Sequence, residues 1–152
     1  MQTMIIASIL ALFGGLAKAH ACSQPIVAVI EQVSAEYALD PALLLSIAKT
    51  ESSCRPGAIN QKTHDYGLMQ INRKTAAAYG YTPAQIMQIK TNVRLSAKVL
   101  VYMRKRFGTE KHWYCRYNVG TAKSAPMWAT CAKYAAKLAQ HGYEVQAVVD
   151  RN

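Results

Sequence analysis

The sequence predicts a mainly α protein, with one compact helical domain that follows an N-terminal signal peptide. Its 152 residues are enough for one domain. Hydrophobic residues make up 51% and charged residues 17%, a balance that excludes a wholly disordered chain. Apolar residues recur at helical spacing along most of the chain, between residues that begin and end helices, and almost no segment alternates as a strand does.

The first segment is typical of a secretory signal peptide. The apolar run at residues 4–16 is too short to span a bilayer comfortably, and small residues with two A-x-A cleavage patterns follow it. We therefore predict a signal peptide at residues 1–21, cleaved after Ala19 or Ala21. The mature domain at residues 22–152 would then keep no stable membrane span. A buried first helix and an uncleaved membrane anchor are the alternatives.

Helix start and stop signals begin soon after the predicted signal peptide. Pro25 can open a first helix, in which apolar residues recur at helical spacing as far as Tyr37. Asp40 is a helix cap followed by Pro41 at the first helical position. A second helix with an apolar face therefore begins there and extends to about Thr50.

Four further helices are predicted in the rest of the chain. Asn72 caps one that stops at Gly80, and Thr82–Gln85 has the cap, proline and glutamine of a capping box. Two longer helices are expected at about residues 92–107 and 126–142. We find no repeat, linker or low-complexity segment in the sequence, which favours a single domain.

The four cysteines are disulfide candidates: Cys22, Cys54, Cys115 and Cys131. An even number in a small exported domain indicates disulfides, because the compartment is oxidising and a small core gains from cross-links. Four cysteines allow three pairings, and the sequence does not choose among them. Because no C-x-x-C occurs and the histidines show no ligand spacing to the cysteines, no metal site is predicted.

One carboxylate occupies an unusual place in the predicted fold. Glu51 falls at the C-terminal end of the apolar second helix, where the helix dipole disfavours a negative charge. Partial burial would act in the same direction and raise the pKa of this carboxyl group. A carboxyl group that stays protonated near neutral pH is suited to general acid catalysis. The alternative is a solvated glutamate at a helix end.

Three short motifs follow one another along the chain: E-S-x-x-x-P at residues 51–56, G-L-M-Q-I at 67–71 and Y-N-x-G at 117–120. With these motifs on a helical background, the chain resembles the lytic transglycosylases of the lysozyme-like superfamily, which carry an SLT domain. It is most similar to the small exported enzymes that accompany secretion, conjugation and pilus machinery. The resemblance covers roughly residues 26–134 and implies a lysozyme-like helical domain.

The resemblance also implies roles for individual residues. Glu51 matches the family's single catalytic acid and base, and no metal or cofactor is implied. Gln70 matches a residue that lines the glycan groove, and Tyr117 matches an aromatic hydroxyl near the catalytic carboxyl. Asn60 stands where several relatives have a serine that contacts the sugar N-acetyl group. The predicted substrate-binding residues are Gln70, Tyr117, Asn118, Asn60 and Met69.

The activity that the resemblance implies is cleavage of the MurNAc-β-1,4-GlcNAc bond of peptidoglycan with formation of 1,6-anhydroMurNAc. The expected location is the periplasm. The expected partners are glycan strands and components of an envelope-spanning secretion, conjugation or pilus machine. A hydrolytic lysozyme-type muramidase is one alternative, with Asp65 as its second carboxylate. In the structural interpretation, Asp65 instead accepts hydrogen bonds from backbone amides and orders the turn before Gly67.

A non-catalytic protein that binds peptidoglycan during assembly is the second alternative. The net charge of +10 also raises nucleic-acid binding. The predicted signal peptide and the lack of a basic recognition helix in the sequence argue against it. The basic residues are expected to form a solvated face, and attraction to anionic wall polymers is the functional alternative.

Overall fold

The computed structural model describes residues 21–108, 110, 112–121 and 125–143. Residues 1–20, nearly all of the predicted signal peptide, lie outside the described residues, so cleavage after Ala19 or Ala21 stays a prediction. Among the helices that are described, none is long and apolar enough to cross a membrane.

The described chain is mainly helical, as predicted, with three strands of two residues each. In chain order the elements are α1 (Gln24–Tyr37), α2 (Pro41–Ser52), β1 (Ile59–Asn60), β2 (Asp65–Tyr66), β3 (Ile71–Asn72), α3 (Arg73–Ala78), α4 (Pro83–Ile86), α5 (Ile89–Phe107), a 3-10 helix (Trp113–Cys115), α6 (Arg116–Val119) and α7 (Ala125–Gln140).

The helix caps lie where the sequence predicted them. The side chain of Asp40 accepts a hydrogen bond of 2.8 Å from the backbone N–H of Ala42, which satisfies a free donor in the first turn of α2. Thr82 and Gln85 form both bonds of a capping box at the start of α4. By contrast, α5 begins at Ile89, three residues before its predicted start. The start was not predicted because the N-cap residue, Gln88, makes no side-chain cap bond and is not a typical cap residue.

The hydrophobic core lies between α1, α2 and α5. Helix α1 packs against both α2 and α5, and α7 packs against α2, α6 and the 3-10 helix. Six side chains at the centre are almost completely buried: Ile30, Val33, Leu44, Ile47, Leu95 and Leu100. Helix α2 therefore has α1 and α7 packed against it.

One disulfide joins the segment just after α2, and the other joins α7, to another part of the chain. One links Cys22, before α1, to Cys54, just after α2, and is called here the α2 disulfide. The other links Cys115, in the 3-10 helix, to Cys131 in α7, and is called the α7 disulfide. This is one of the three pairings that the sequence allowed, and such bonds indicate an oxidising compartment.

The three strands form a small antiparallel sheet in the order β1-β2-β3. In this sheet Asp65 lies opposite both Asn60 and Asn72. The sequence predicted an irregular segment here, because strands of two residues are too short to show alternation. The sheet brings polar side chains of the segment to the end of α2.

Candidate active site

Glu51 is the second-last residue of α2, and its side chain is half-buried. The helix ends at the next residue, Ser52. It cannot continue because Ser53 and Cys54 both adopt positive φ values, 53° and 60°. The backbone therefore turns away from the helix axis within one turn of Glu51. This end of α2 places the carboxyl group on the wall of a surface cleft.

The cleft has two parts, and Glu51 and Gln70 line both of them. The first has a volume of about 250 Å³, and its lining includes Asp65, Tyr117 and Asn118. The second, of about 600 Å³, lies along the segment that contains Asn60. The carboxyl group of Glu51 is thus placed at the meeting point of a groove that extends to either side.

Beyond the first part, the groove continues into a third, more apolar region. This region has a volume of about 470 Å³ and shares Tyr117 and Asn118 with the part that contains Glu51. Two of its other lining residues are Tyr79 and Tyr102, whose rings are substantially exposed. An extended polymer with both polar and apolar faces suits a groove of this length and lining.

The pKa of Glu51 is raised above its ordinary value, chiefly because burial removes water from the carboxylate. A hydrogen bond from the hydroxyl of Tyr134, at 2.6 Å from Oε1 of Glu51, opposes that rise. The negative charge of Asp65 raises the pKa further, and the positive charge of Lys137 lowers it. The net effect is a pKa raised toward the range that suits a general acid.

The hydroxyl of Tyr134 donates a hydrogen bond to Glu51. Its own pKa lies well above the ordinary value for a tyrosine, first because it is buried and then because Glu51 is beside it. The phenol therefore keeps its proton, and this proton stabilises the carboxylate that Glu51 becomes after it gives up its own. A donor of this kind assists a group that acts first as an acid and then as a base.

Asp65 lies in the same cleft as Glu51 but is held by side chains rather than by backbone amides. One oxygen accepts a hydrogen bond from the hydroxyl of Thr63, and the other accepts one of 2.8 Å from the amide of Asn72. The sequence-based expectation of bonds to backbone amides is therefore corrected. The sheet register explains the difference, because it sets Asp65 opposite Asn72.

Two substitutions are expected to shift the pH dependence of activity in opposite directions. Tyr134→Phe removes the donor that lowers the pKa of Glu51, so the basic limb of the profile moves to higher pH. Asp65→Asn removes the charge that raises the same pKa, so the limb moves to lower pH. Rate measurements across the pH range check both shifts, and shifts in the same direction would contradict this assignment.

Buried polar side chains hold the backbone of the G-L-M-Q loop. The side chain of Asn92, completely buried in α5, accepts a bond of 2.8 Å from the N–H of Met69. It also donates to the carbonyl groups of Tyr66 at 3.0 Å and Ile86 at 2.7 Å. A side-chain Cβ atom at Gly67, where φ is +77°, would lie 2.5 Å from the Nδ2 atom of Asn92.

Two other helices complete this support. The hydroxyl of Ser52 donates to the carbonyl of Leu68 at 2.7 Å, and that of Tyr117 donates to the carbonyl of Met69 at 2.8 Å. Since Tyr117 gives its one proton to Met69, the 2.8 Å contact with Ser96 is a bond in which Ser96 donates. The loop is therefore fixed by α2, α5 and α6 together.

Gln70 is held with a positive φ of 47° at the wall of the cleft. Its side-chain amide donates to the carbonyl groups of Ala58 at 3.1 Å and Gly67 at 2.9 Å. Both amide protons are thereby used within the loop. The side-chain oxygen of Gln70 is therefore the atom available to a substrate, as an acceptor.

The structure brings most of the predicted site residues to the cleft. Tyr117 and Asn118 line the part beside Glu51, and Asn60 lines the other part. Met69 does not join them, because its side chain is completely buried in the core. Its backbone, rather than its side chain, belongs to the support of the site.

Tyr117 and Asn60 have local roles that the motifs did not indicate. The hydroxyl of Tyr117 contacts Met69 and Ser96, while the hydroxyl bonded to Glu51 belongs to Tyr134. The side-chain oxygen of Asn60 accepts from two backbone amides of the following turn, at 3.1 Å and 3.3 Å. Their contacts with substrate stay predictions.

Sequence analysis missed Tyr134 and Asn92 as parts of the site. Tyr134 lies on the buried face of an amphipathic helix, where an aromatic residue gives no signal beyond packing. Asn92 is a polar residue at a buried position of α5, and that mismatch is the signal that would have revealed it. In the described part of the chain, no group of three or more His, Cys, Asp or Glu residues could hold a metal ion.

The family model of the transglycosylase SLT domain matches residues 28–138. The chain belongs to this family. Invasion protein IagB of Salmonella typhimurium is 33% identical over 98 residues, which are 60% of this chain and 61% of IagB. IagB of Salmonella typhi matches to the same extent. This chain thus matches less than two thirds of the length of these relatives.

A solved structure has a similar fold. It is that of an inactive mutant of lytic transglycosylase Slt from Pseudomonas aeruginosa, with a TM-score of 0.54 and 16% identity. The match covers 75% of this chain and 22% of Slt. The lysozyme-like helical domain that the sequence predicted is therefore confirmed.

Proposed function

We propose that the protein is a peptidoglycan lytic transglycosylase in which Glu51 is the one catalytic acid and base. The observation that carries the proposal is the position of Glu51, at the meeting point of an extended groove in an SLT domain. Burial raises the pKa of this carboxyl group, which is the direction that suits a general acid. The groove on either side offers room for the glycan strand.

The first step is protonation of the glycosidic oxygen between MurNAc and GlcNAc. The proton of Glu51 moves to this oxygen as the bond from C1 of MurNAc to that oxygen breaks. Positive charge develops at C1, where the resemblance implies that the substrate N-acetyl group stabilises it. Glu51 is left as a carboxylate, which the hydroxyl of Tyr134 and the charge of Lys137 stabilise.

In the second step the nucleophile belongs to the substrate. The 6-hydroxyl of MurNAc bonds to C1 and closes a 1,6-anhydro ring, while its proton returns to Glu51. No water is consumed, and the enzyme ends in its starting protonation state. Because the attacking hydroxyl is in the same sugar, the step gains from proximity and needs no second catalytic carboxylate.

A hydrolytic lysozyme is the second candidate, because Asp65 shares a cleft with Glu51. Two observations favour the transglycosylase. Both oxygens of Asp65 already accept hydrogen bonds, from Thr63 and Asn72, which hold the carboxylate on its strand. Its charge also raises the pKa of Glu51, so it has a use as a fixed anion. We propose this supporting role for Asp65.

The products of the Asp65→Asn variant test that role. Digestion of purified peptidoglycan is expected to release muropeptides one water lighter than hydrolytic products, from both the unaltered protein and the variant. Mass spectrometry of the released fragments measures this difference. If the variant still released anhydro products, with its basic limb moved to lower pH, Asp65 would be a supporting group. Loss of all turnover in a correctly folded variant would make Asp65 a catalytic residue.

We further propose that the protein is exported to the periplasm and opens the wall locally for a secretion, conjugation or pilus apparatus. Two disulfides support an oxidising compartment. The relative IagB is named an invasion protein, which supports a virulence-related role. Immunoblotting of periplasmic and cytoplasmic fractions tests export. Protein found only in the cytoplasmic fraction, at its full length, would refute it.

A further inference from the structure

One buried stripe of α7 carries both the donor to Glu51 and a disulfide cysteine. The buried residues of this stripe are Met127, Cys131, Tyr134 and Leu138. Cys131 and Tyr134 are three positions apart, so they lie on the same face of the helix, one turn from each other. The position of the Tyr134 hydroxyl therefore depends on where the Cys131 backbone is held.

The other end of the α7 disulfide is firmly anchored. Cys115 is completely buried and is followed by Arg116, whose side chain is also completely buried. The guanidinium group of Arg116 forms two hydrogen bonds to Glu110, at 2.8 Å and 2.9 Å, and lies 4.2 Å from the ring centre of Phe107. Cys115 is thus tied to the end of α5, a core helix.

We propose that the α7 disulfide positions Tyr134 on Glu51, so that their hydrogen bond depends on this covalent link. The C-terminal end of α7 has its own attachment, because the carbonyl of His141 accepts from Ser46 in α2 at 3.2 Å. Cys131 fixes the helix on the other side of Tyr134. The disulfide is then part of the catalytic site as a positioning element, beyond its contribution to stability.

The groups that face Glu51 come from three elements. Tyr134 and Lys137 lie on α7, and Asp65 lies on β2. Tyr117 lies on α6, and the charge of Glu51 raises the pKa of Tyr117. A displaced α7 would withdraw the donor Tyr134 and the cation Lys137, and both lower the pKa of Glu51. Asp65 would stay in place, because its partners are in its own sheet segment. The direction of the change is therefore fixed: the titration of Glu51 moves to higher pH.

The test is an NMR titration of the Glu51 side-chain carboxyl carbon in the whole mature protein without substrate. The variant carries Cys115→Ala and Cys131→Ala, and the matched control carries Cys22→Ala and Cys54→Ala. Both variants lose one disulfide and are expected to melt at lower temperature. Loss of the α7 disulfide is expected to move the Glu51 midpoint to higher pH, toward the midpoint of Tyr134→Phe. Loss of the α2 disulfide, which leaves the Tyr134 donor attached through α7, is expected to cause no rise in that midpoint.

A double-mutant cycle separates positioning from general loosening. Adding Tyr134→Phe to the variant without the α7 disulfide should cause little further shift, because the same hydrogen bond is already lost. An unchanged midpoint in that variant, or fully additive shifts, would overturn the proposal. If the variant without the α7 disulfide does not fold, the control variant is used instead, because the α7 disulfide is the one disulfide that it retains. This bond is broken with a phosphine reductant after folding, and the Glu51 midpoint is compared before and after reduction.

The proposal rests on the proposed function for its consequence, which is that loss of the α7 disulfide moves the basic limb of the activity profile to higher pH. The titration itself needs no catalysis. A shifted Glu51 midpoint in the variant without the α7 disulfide, together with no release of muropeptides by the unaltered protein, would refute the proposed function and leave the positioning role intact. Release of muropeptides by the unaltered protein, with an unshifted midpoint in that variant, would refute the positioning role and leave the proposed function intact.

Discussion

Glu51→Gln is expected to lower the release of muropeptides by roughly 10²- to 10⁴-fold or more, the range for loss of a general acid. The amide keeps the shape of the side chain but cannot donate and recover a proton. Substrate binding should persist, because the groove residues Gln70, Asn60 and Asn118 are unchanged. Turnover and binding to purified sacculi are measured on the same preparation.

Glu36→Gln is the matched control, since it makes the same chemical change at an exposed salt bridge with Arg94. It should leave turnover close to that of the unaltered protein, because exposed ion pairs contribute little. Full activity of Glu51→Gln, or full function of that variant in the cell, would instead favour the non-catalytic assembly protein. Loss of binding together with turnover would assign Glu51 to substrate contact.

Gly67→Ala is expected to destabilise the protein by about 3 kcal/mol, from two additive causes. Gly67 has a φ of +77°, which an alanine adopts at a cost. The added methyl group would also lie 2.5 Å from the Nδ2 atom of Asn92 and displace it. Asn92 would then leave the carbonyl groups of Tyr66 and Ile86 without their donor. Denaturant unfolding measures the change in the free energy of unfolding.

Gly80→Ala separates the two causes. Its φ is +78°, almost the same as that of Gly67, but a Cβ atom there would meet nothing within 4 Å. Only the backbone cost should remain, about 1 kcal/mol. Equal destabilisation by the two substitutions would show that displacement of Asn92 adds nothing to the loss in the free energy of unfolding. The loop would then depend on Ser52 and Tyr117 alone.

The sequence predicted the helices whose start signals are local. A cap and a proline lie next to each other at the start of α2, and all the parts of the capping box of α4 lie within four residues. Helix α6 and the 3-10 helix were not predicted, since a helix of three or four residues has no period to detect. The small sheet was missed for the same reason.

The position of Glu51 at the end of α2 was also predictable, because it depends on that one helix. The partner of its carboxyl group was not. Tyr134 comes from 83 positions further along the chain, through the packing of α7 on α2. Likewise, Asn92 reaches the N–H of Met69 across 23 positions. Contacts of this kind follow from the tertiary fold and leave no spacing pattern in the sequence.

The central claim is that the attacking oxygen comes from the substrate and not from water. Digestion of peptidoglycan in ¹⁸O-labelled water tests it most directly, with mass spectrometry of the reducing-end MurNAc. The account predicts anhydro products without the label, because the 6-hydroxyl closes the ring on C1 while Glu51 takes its proton. Hydrated products with one labelled oxygen would contradict it. Such a result would make the protein a hydrolase and give Asp65 the role of second carboxylate.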